Sequence, residues 1–364
     1  MVLSVTAEKA RRYLVGRQGF LERKGKDGAY GFIARMGCVQ MDPVSIIDKN
    51  HNLVLRNRVT DYKPRMLEEL LYSERRLFEY WRNQKSILPI EEFPYAWYRM
   101  RHHDEFESPY IDNSRQHRGE LKAEFEHILS RIKKDGPLSS ADFRREGRVQ
   151  ERVANQVLQI LWNSGDVMVH HVERNRRAYD LTERVLPPGV DIGNIDLEEY
   201  RRFTLMRYLK ADGMADPRDP WRFGWHHMAG PERKQVVESL LDEGTVVPIR
   251  VESTKAPYYI LEEEVPLLDS DLPVPEDVML IAPLDNLLWN RRMVREVFGF
   301  AYTWEIYMVP EKRTFGCYCL PILHGTKFIG RIDPRLDRVR ETMIINGVFM
   351  EPDTCVPVSK IADA

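Results

Sequence analysis

Two stretches of the chain align without gaps at an offset of 79 residues, and a repeat of that size constrains the fold more than composition can. The first, LWNSGDVMVHHVERNRRAYDLTERVLP, begins at Leu161; the second, LLDEGTVVPIRVESTKAPYYILEEEVP, begins at Leu240. Leu161, Gly165, Val167, Val172, Glu173, Tyr179 and Glu183 fall on Leu240, Gly244, Val246, Val251, Glu252, Tyr258 and Glu262. In each copy apolar residues at helical spacing (Val157, Leu158, Leu161; Val236, Val237, Leu240) run into a glycine suited to a helix C-terminus. An alternating strand, a polar tip and a second strand led by Tyr follow. Upstream of the first copy, GELKAEFEHILSRIKKDG is amphipathic, and Ser139 or Ser140 can cap the next helix. Leu197 to Leu209 and a Pro/Trp-rich connection from Asp216 to Trp225 precede the second. Helices followed by a hairpin spell a winged helix, twice over.

Tandem winged helices are most often nucleic-acid modules, and the same fold also docks proteins. Charge distribution separates the two ends of the chain. Residues 1 to 60 carry eleven Lys/Arg against five Asp/Glu, whereas residues 262 to 287 carry eight acidic residues, no basic one and four prolines. The second stretch reads as an extended linker that keeps a polyanion away, so nucleic acid belongs on the N-terminal side. The first wing tip, Glu173-Arg174-Asn175-Arg176-Arg177, offers three arginines to phosphate or a minor groove; the second, Ser253-Thr254-Lys255-Ala256-Pro257, offers one lysine. At 364 residues the chain is too long for one ordinary core. No run approaches the ~18 apolar residues of a membrane span, and the start lacks an apolar signal core, so a cytoplasmic monomer with no membrane association is expected. Four scattered cysteines (Cys38, Cys317, Cys319, Cys355) without a CxxC pair argue against disulfides and structural zinc.

In the N-terminal part, Thr6 can cap a helix from Ala7 to about Gln18, with Arg11, Arg12 and Arg17 toward solvent. The apolar run Phe32 to Val39 leads into Gln40-Met41-Asp42-Pro43. Proline disfavours the helical region for its predecessor, so the helix ends by about Val39 and Asp42 is extended. Residues two apart in an extended segment project to one side, which places the Gln40 amide beside the Asp42 carboxylate. That is equipment for holding a water and taking its proton. Taken alone, Gln-x-Asp before Pro is more often turn chemistry or a helix cap. The histidine pairs His102-His103, His170-His171 and His226-His227 invite a metal, but adjacent residues on a regular helix or strand cannot face one ion, and no HxxxH spacing accompanies them. No metal and no cofactor are expected.

The block Val39 to Arg58 resembles the AlkZ/YcaQ-type winged-helix DNA glycosylases, which unhook interstrand crosslinks and excise alkylated purines. Phe78-Glu79-Tyr80-Trp81 looks like that family's Glu-Tyr-Trp segment. Pro283 to Arg291 (PLDNLLWNR), Pro310 to Gly316 (PEKRTFG), Leu320 to His324 (LPILH) and Gly330 to Asp333 (GRID) follow in the family's order. The resemblance implies an α+β fold: three tandem winged helices, 1–118, 119–190 and 191–265, in a C-shape around duplex DNA, then a C-terminal β-barrel over 277–364. It places Gln40 and Asp42 at the catalytic Gln-x-Asp of a monofunctional glycosylase, and it implies a partner in double-stranded DNA bearing N7-alkylated or crosslinked purines, with the protein at the nucleoid when bound. His51, near the motif, then touches phosphate or substrate, or is a polar loop residue. Tyr80 and Trp81 stack near the lesion or belong to a core. Lys312 and Arg313 fall at a hairpin tip between strands Tyr302–Val309 and Thr314–Leu320. The family's His and Glu just after the Trp are replaced by Asn83 and Gln84. A non-enzymatic winged-helix regulator is the competing reading; it needs no acid beside the duplex.

Overall fold

The structure, a computed structural model, describes residues 2–82, 84–102, 118–217, 219, 228, 230–352, 354 and 360–361. Asn83, His103, Trp225, His226, His227 and Cys355 lie outside them. The chain packs as two compact units, one made of residues 1–66 with 204–364 and the other of 67–203.

The first unit opens with β1 (Leu3–Val5) and α1 (Ala7–Gly16). Thr6 caps α1 as expected, its hydroxyl accepting from the Lys9 amide at 3.2 Å. Then come α2 (Gly25–Met36), β2 (Val39–Gln40), α3 (Asn50–Arg56) and α4 (Pro64–Glu68). α2 stops at Gly37, short of Val39, because Gly37 turns the chain at φ 80°.

In the second unit β3 (Leu77–Trp81) and β4 (Lys85–Pro89) form an antiparallel hairpin, followed by α5 (Phe93–Arg101). Next are α6 (Lys122–Asp135), α7 (Ser140–Glu146) and α8 (Glu151–Asn163), then β5 (Val167–Glu173), β6 (Arg176–Leu181) and α9 (Thr182–Val185). Ser139 caps α7 in a capping box with Asp142. α10 (Leu197–Asp212) returns the chain to the first unit, which continues with α11 (Gly230–Asp242), β7 (Val246–Val251) and β8 (Tyr258–Leu261). Both copies of the repeat therefore contain a helix and a hairpin. Their glycines are left-handed, Gly165 at φ 75° and Gly244 at φ 73°. The same bond closes each helix: Asp166 N donates to Leu161 O and Thr245 N to Leu240 O, both at 2.9 Å. A third short bridge extends each hairpin, Leu138 to Tyr179 and Ala215 to Tyr259.

The second hairpin does not stand alone, since β1 adds to it in parallel, Leu3 opposite Ile249 and Val5 opposite Val251. Tyr13 and Leu14 of α1, Ile249 and Tyr258 of the hairpin, and Leu287, Phe300 and Leu323 share one core. The remaining elements are β9 (Met279–Leu280), α12 (Arg291–Phe298), β10 (Leu320–His324), β11 (Lys327–Asp337) and β12 (Thr342–Met350). The four strands form an antiparallel sheet in the order β12-β11-β10-β9.

Two readings of charge change with the fold. Arg17 is fully buried, not solvent-facing, and pairs with buried Glu264 at 3.0 Å. Glu264 belongs to a short 3-10 helix (Glu262–Leu268), so the acidic stretch is not merely an extended linker. Lys9 and Arg12 pair with Asp269 and Asp271 of the same stretch. The acidic segment thus answers the basic face of α1, and little of that face is left for phosphate.

Candidate active site

The backbone that leads into Gln40 and Asp42 is held by side chains from other elements. Behind it, Arg207 caps α2 by donating to Ala34 O and, at 3.2 Å, to Arg35 O; burial pushes its guanidinium down to about 10. A Cβ on Gly37 would come within 2.3 Å of that Arg207 side chain, so glycine is needed here for space as well as for φ. Beside the segment, buried Asn50 donates to Gln40 O at 3.0 Å and accepts from Leu284 N at 3.2 Å. Asn286 donates to Cys38 O at 3.0 Å. The PLDNL stretch is therefore a brace that holds the strand's backbone. It is itself anchored by Asp285, which accepts from Arg58 Nη1 and Nη2 at 2.5 and 2.8 Å, with both side chains fully buried. Arg58 also lies over the rings of Phe20 and Phe32.

Asp42 leaves the strand half-buried. One carboxylate oxygen, Oδ1, accepts from Val44 N at 2.8 Å. This is an Asx turn, so the turn chemistry anticipated for an Asp before Pro is present. It occupies one oxygen only, and among the described residues Asp42 forms no ion pair. Burial raises its pKa above that of an ordinary aspartate, and the Val44 amide offsets this in part. Gln40 is likewise half-buried. The two therefore present an amide and an uncompensated carboxylate at the exit of one braced strand. After Asp42 the chain docks on the C-terminal sheet: Val44, Ile46 and Ile47 pack with Tyr318, Leu320, Ile322 and Ile332. Arg338, at the turn between β11 and β12, donates to Ser45 O at 2.8 Å and Ile47 O at 3.2 Å. Val339 beside it is 94% exposed. Sequence patterns did not single out this long hairpin, although its 11-residue and 9-residue strands flank an Arg-Val-Arg tip.

The other anticipated residues are placed as follows. His51 is on α3, not in a loop, and is buried. Tyr80 is buried in the second unit, its hydroxyl donating to Asn163 O at 2.8 Å. Trp81 Nε1 donates to Asn163 Oδ1 at 2.9 Å, and both rings meet Trp162. Their polar atoms are engaged within the second unit. Across the wing, Arg174 and Asn175 both have positive φ, as a two-residue hairpin turn requires. The Arg174 side chain is 91% exposed and Arg176 about half so. Arg177 turns inward instead, donating to the buried Glu79 carboxylate at 2.7 Å.

Lys312 is exposed, but no hairpin holds it. Strands Tyr302–Val309 and Thr314–Leu320 are replaced by 3-10 turns, Glu305–Tyr307 and Pro310–Lys312. The physical reason is Glu305: its Oε2 accepts from the amides of Thr314, Phe315 and Gly316 at 2.9 to 3.2 Å, doing the work of a strand ladder. Arg313 folds back on Met308 O at 3.0 Å. The histidine geometry also departs from expectation. A bulge between Val169 and His171 brings the Nδ1 atoms of His170 and His171 to 2.9 Å, which a regular strand would forbid.

Known proteins bear on this site. A family model described as DNA glycosylase AlkZ-like matches residues 33–355. Among solved structures, the Streptomyces sahachiroi DNA glycosylase AlkZ is similar, with a TM-score of 0.66, 17% sequence identity, and coverage of 99% of this chain and 95% of that one.

Proposed function

Since the chain belongs to the AlkZ-like DNA glycosylase family, we propose that it is a monofunctional glycosylase that hydrolyses the N-glycosidic bond of N7-alkylated purines and unhooks interstrand crosslinks in duplex DNA. The architecture proposed with it is that of three winged helices and a C-terminal barrel. The observation that carries the chemistry is Asp42: a half-buried carboxylate with one oxygen fixed by Val44 and, among the described residues, no ion pair.

Alkylation at N7 puts positive charge on the base, so the bond from C1′ to the base nitrogen is already weakened. As it breaks, its electron pair goes to the base, neutralising it, and positive charge develops on the sugar. An anion facing that sugar stabilises the transition state more than the ground state. Water adds to C1′ and gives its proton to Asp42, while the Gln40 amide orients the water. No amine nucleophile is required, so the product is an abasic site with an intact backbone. Exposed Arg174 and Arg176 and the Arg338–Arg340 hairpin tip are the elements proposed to meet phosphate and groove. The test is a duplex carrying a single N7-methylguanine, incubated and then treated with alkali. Strand cleavage at the lesion is expected after alkali and not before; an alkali-stable strand would overturn the assignment.

A further inference from the structure

Among the described residues, Tyr307 is the one aromatic side chain in the exposed class, with 78% of its surface open to solvent. A single exposed ring on a loose loop calls for no explanation. This ring is held. The Glu305 carboxylate gathers three amides under the turn, Met308 N donates to Glu305 O at 2.9 Å, and Arg313 ties Met308 O at 3.0 Å. Trp304 stands edge-on to Tyr307 with centroids 5.5 Å apart. Trp304 and Ile306 pack into the same apolar cluster as Val44, Ile46 and Ile47, the residues that follow Asp42. The turn therefore carries Tyr307 next to the catalytic segment. Its hydroxyl is held above the ordinary tyrosine range by partial desolvation and then by the Asp42 charge, in keeping with that proximity.

We propose that Tyr307 is a specificity-determining residue: its ring face packs against the charged imidazolium portion of the N7-alkylated guanine while Asp42 faces the sugar. The proposal rests on the assignment to N7-alkylated purines. An aromatic face is electronegative, and contact with a cation is favourable where contact with a neutral base is only dispersive. A rigid ring loses little conformational entropy on making that contact. Such a residue favours the lesion over unmodified guanine without touching the reacting bond, and a leucine of similar bulk cannot replace it.

The experiment compares the parent with Tyr307→Phe and Tyr307→Leu. Single-turnover excision is measured against enzyme concentration on a duplex with one N7-methylguanine, and affinity is measured for the same duplex with unmodified guanine. Tyr307→Phe is expected within twofold of the parent. Tyr307→Leu should lose about tenfold in the ratio of maximal rate to half-saturating concentration, with affinity for undamaged duplex unchanged. If leucine serves as well as phenylalanine, or weakens undamaged binding as much as excision, the inference is wrong although the glycosylase reading stands. A parent that releases no N7-methylguanine overturns that reading, and the inference with it.

Discussion

Replacing Asp42 by Asn preserves shape and the acceptor for the Val44 amide but removes the charge and the proton acceptor. The size of the loss can be worked from the site. A unit charge about 4 Å from a developing cation, at an effective dielectric of about 20, is worth ~4 kcal/mol; with half the charge developed at the transition state, ~2 kcal/mol remains. General-base assistance contributes a further factor of about 10² or more. Excision by Asp42→Asn should therefore fall by at least about 10²-fold, while binding to damaged duplex is equal or tighter because repulsion of phosphates is relieved. The assay is single-turnover release from the N7-methylguanine duplex across pH, with affinity measured in parallel. Since burial raises the pKa of Asp42 above that of an ordinary aspartate, the parental rate should decline as pH falls through that raised value, and the variant's profile should be flat there. The sign for stability is opposite: ionised Asp42 opposes folding at neutral pH, so the variant should melt higher at pH 7 and lose that advantage in acid. Parental excision by Asp42→Asn, or an unchanged acid limb, would refute the catalytic role.

Other expectations follow from particular contacts. Arg174→Ala with Arg176→Ala should weaken binding to any duplex sequence and flatten its salt dependence, whereas Arg177→Ala should chiefly lower the melting temperature by leaving Glu79 buried without its partner; equal effects on affinity would contradict this division. Asp285→Ala strands the Arg58 charge in the core and should destabilise by about 3–5 kcal/mol in denaturant titration; a change under ~1 kcal/mol would mean the brace does not depend on the pair. Lys85 lies over the Trp162 ring at 4.5 Å, and burial lowers its ammonium to about 8. The unfolded chain then binds the extra proton between about 8 and the ordinary 10.5, so stability should rise with pH across that window and the rise should vanish in Lys85→Met; melting curves followed by tryptophan fluorescence will show whether it does.

What the sequence made legible was what is local. Thr6, Ser139, Gly165 and Gly244 act within a few residues of themselves, and the structure places each at the cap or turn that its chemistry implies. Pro43 acts on its neighbour in the same way, and α2 has ended before Gln40. Contacts between distant segments were not. Nothing near Arg17 announces Glu264, and nothing near Arg58 announces Asp285, so Arg17, read as solvent-facing, turns out to be the centre of a buried pair. Tyr80 and Trp81 look the same in sequence whether they stack on a base or on Trp162. The segment from Tyr302 to Leu320 has the alternation of two strands, but one glutamate supplies the acceptor that a partner strand would have supplied. A bulge, invisible as a pattern, brings two neighbouring histidines together where a regular strand would part them.

The pairing of basic side chains with acids of the same chain bears on how such an enzyme would select damage. Lys9, Arg12 and Arg17 are matched by the acidic segment, Arg58 by Asp285 and Arg177 by Glu79. A chain with a formal charge of −2 and many of its cations so matched offers undamaged DNA a modest number of phosphate contacts. Each contact adds about −0.9 to the slope of affinity against salt on logarithmic axes, so non-specific hold is correspondingly weak. The uncompensated Asp42 lowers it further wherever the opposing base is neutral. At a cationic base, under the proposed substrate reading, that repulsion is partly offset, so the penalty is least at the lesion. Neutralising Asp42 with an internal cation would strengthen binding everywhere and erase that difference, which is a physical reason for the braced strand to present an unpaired acid.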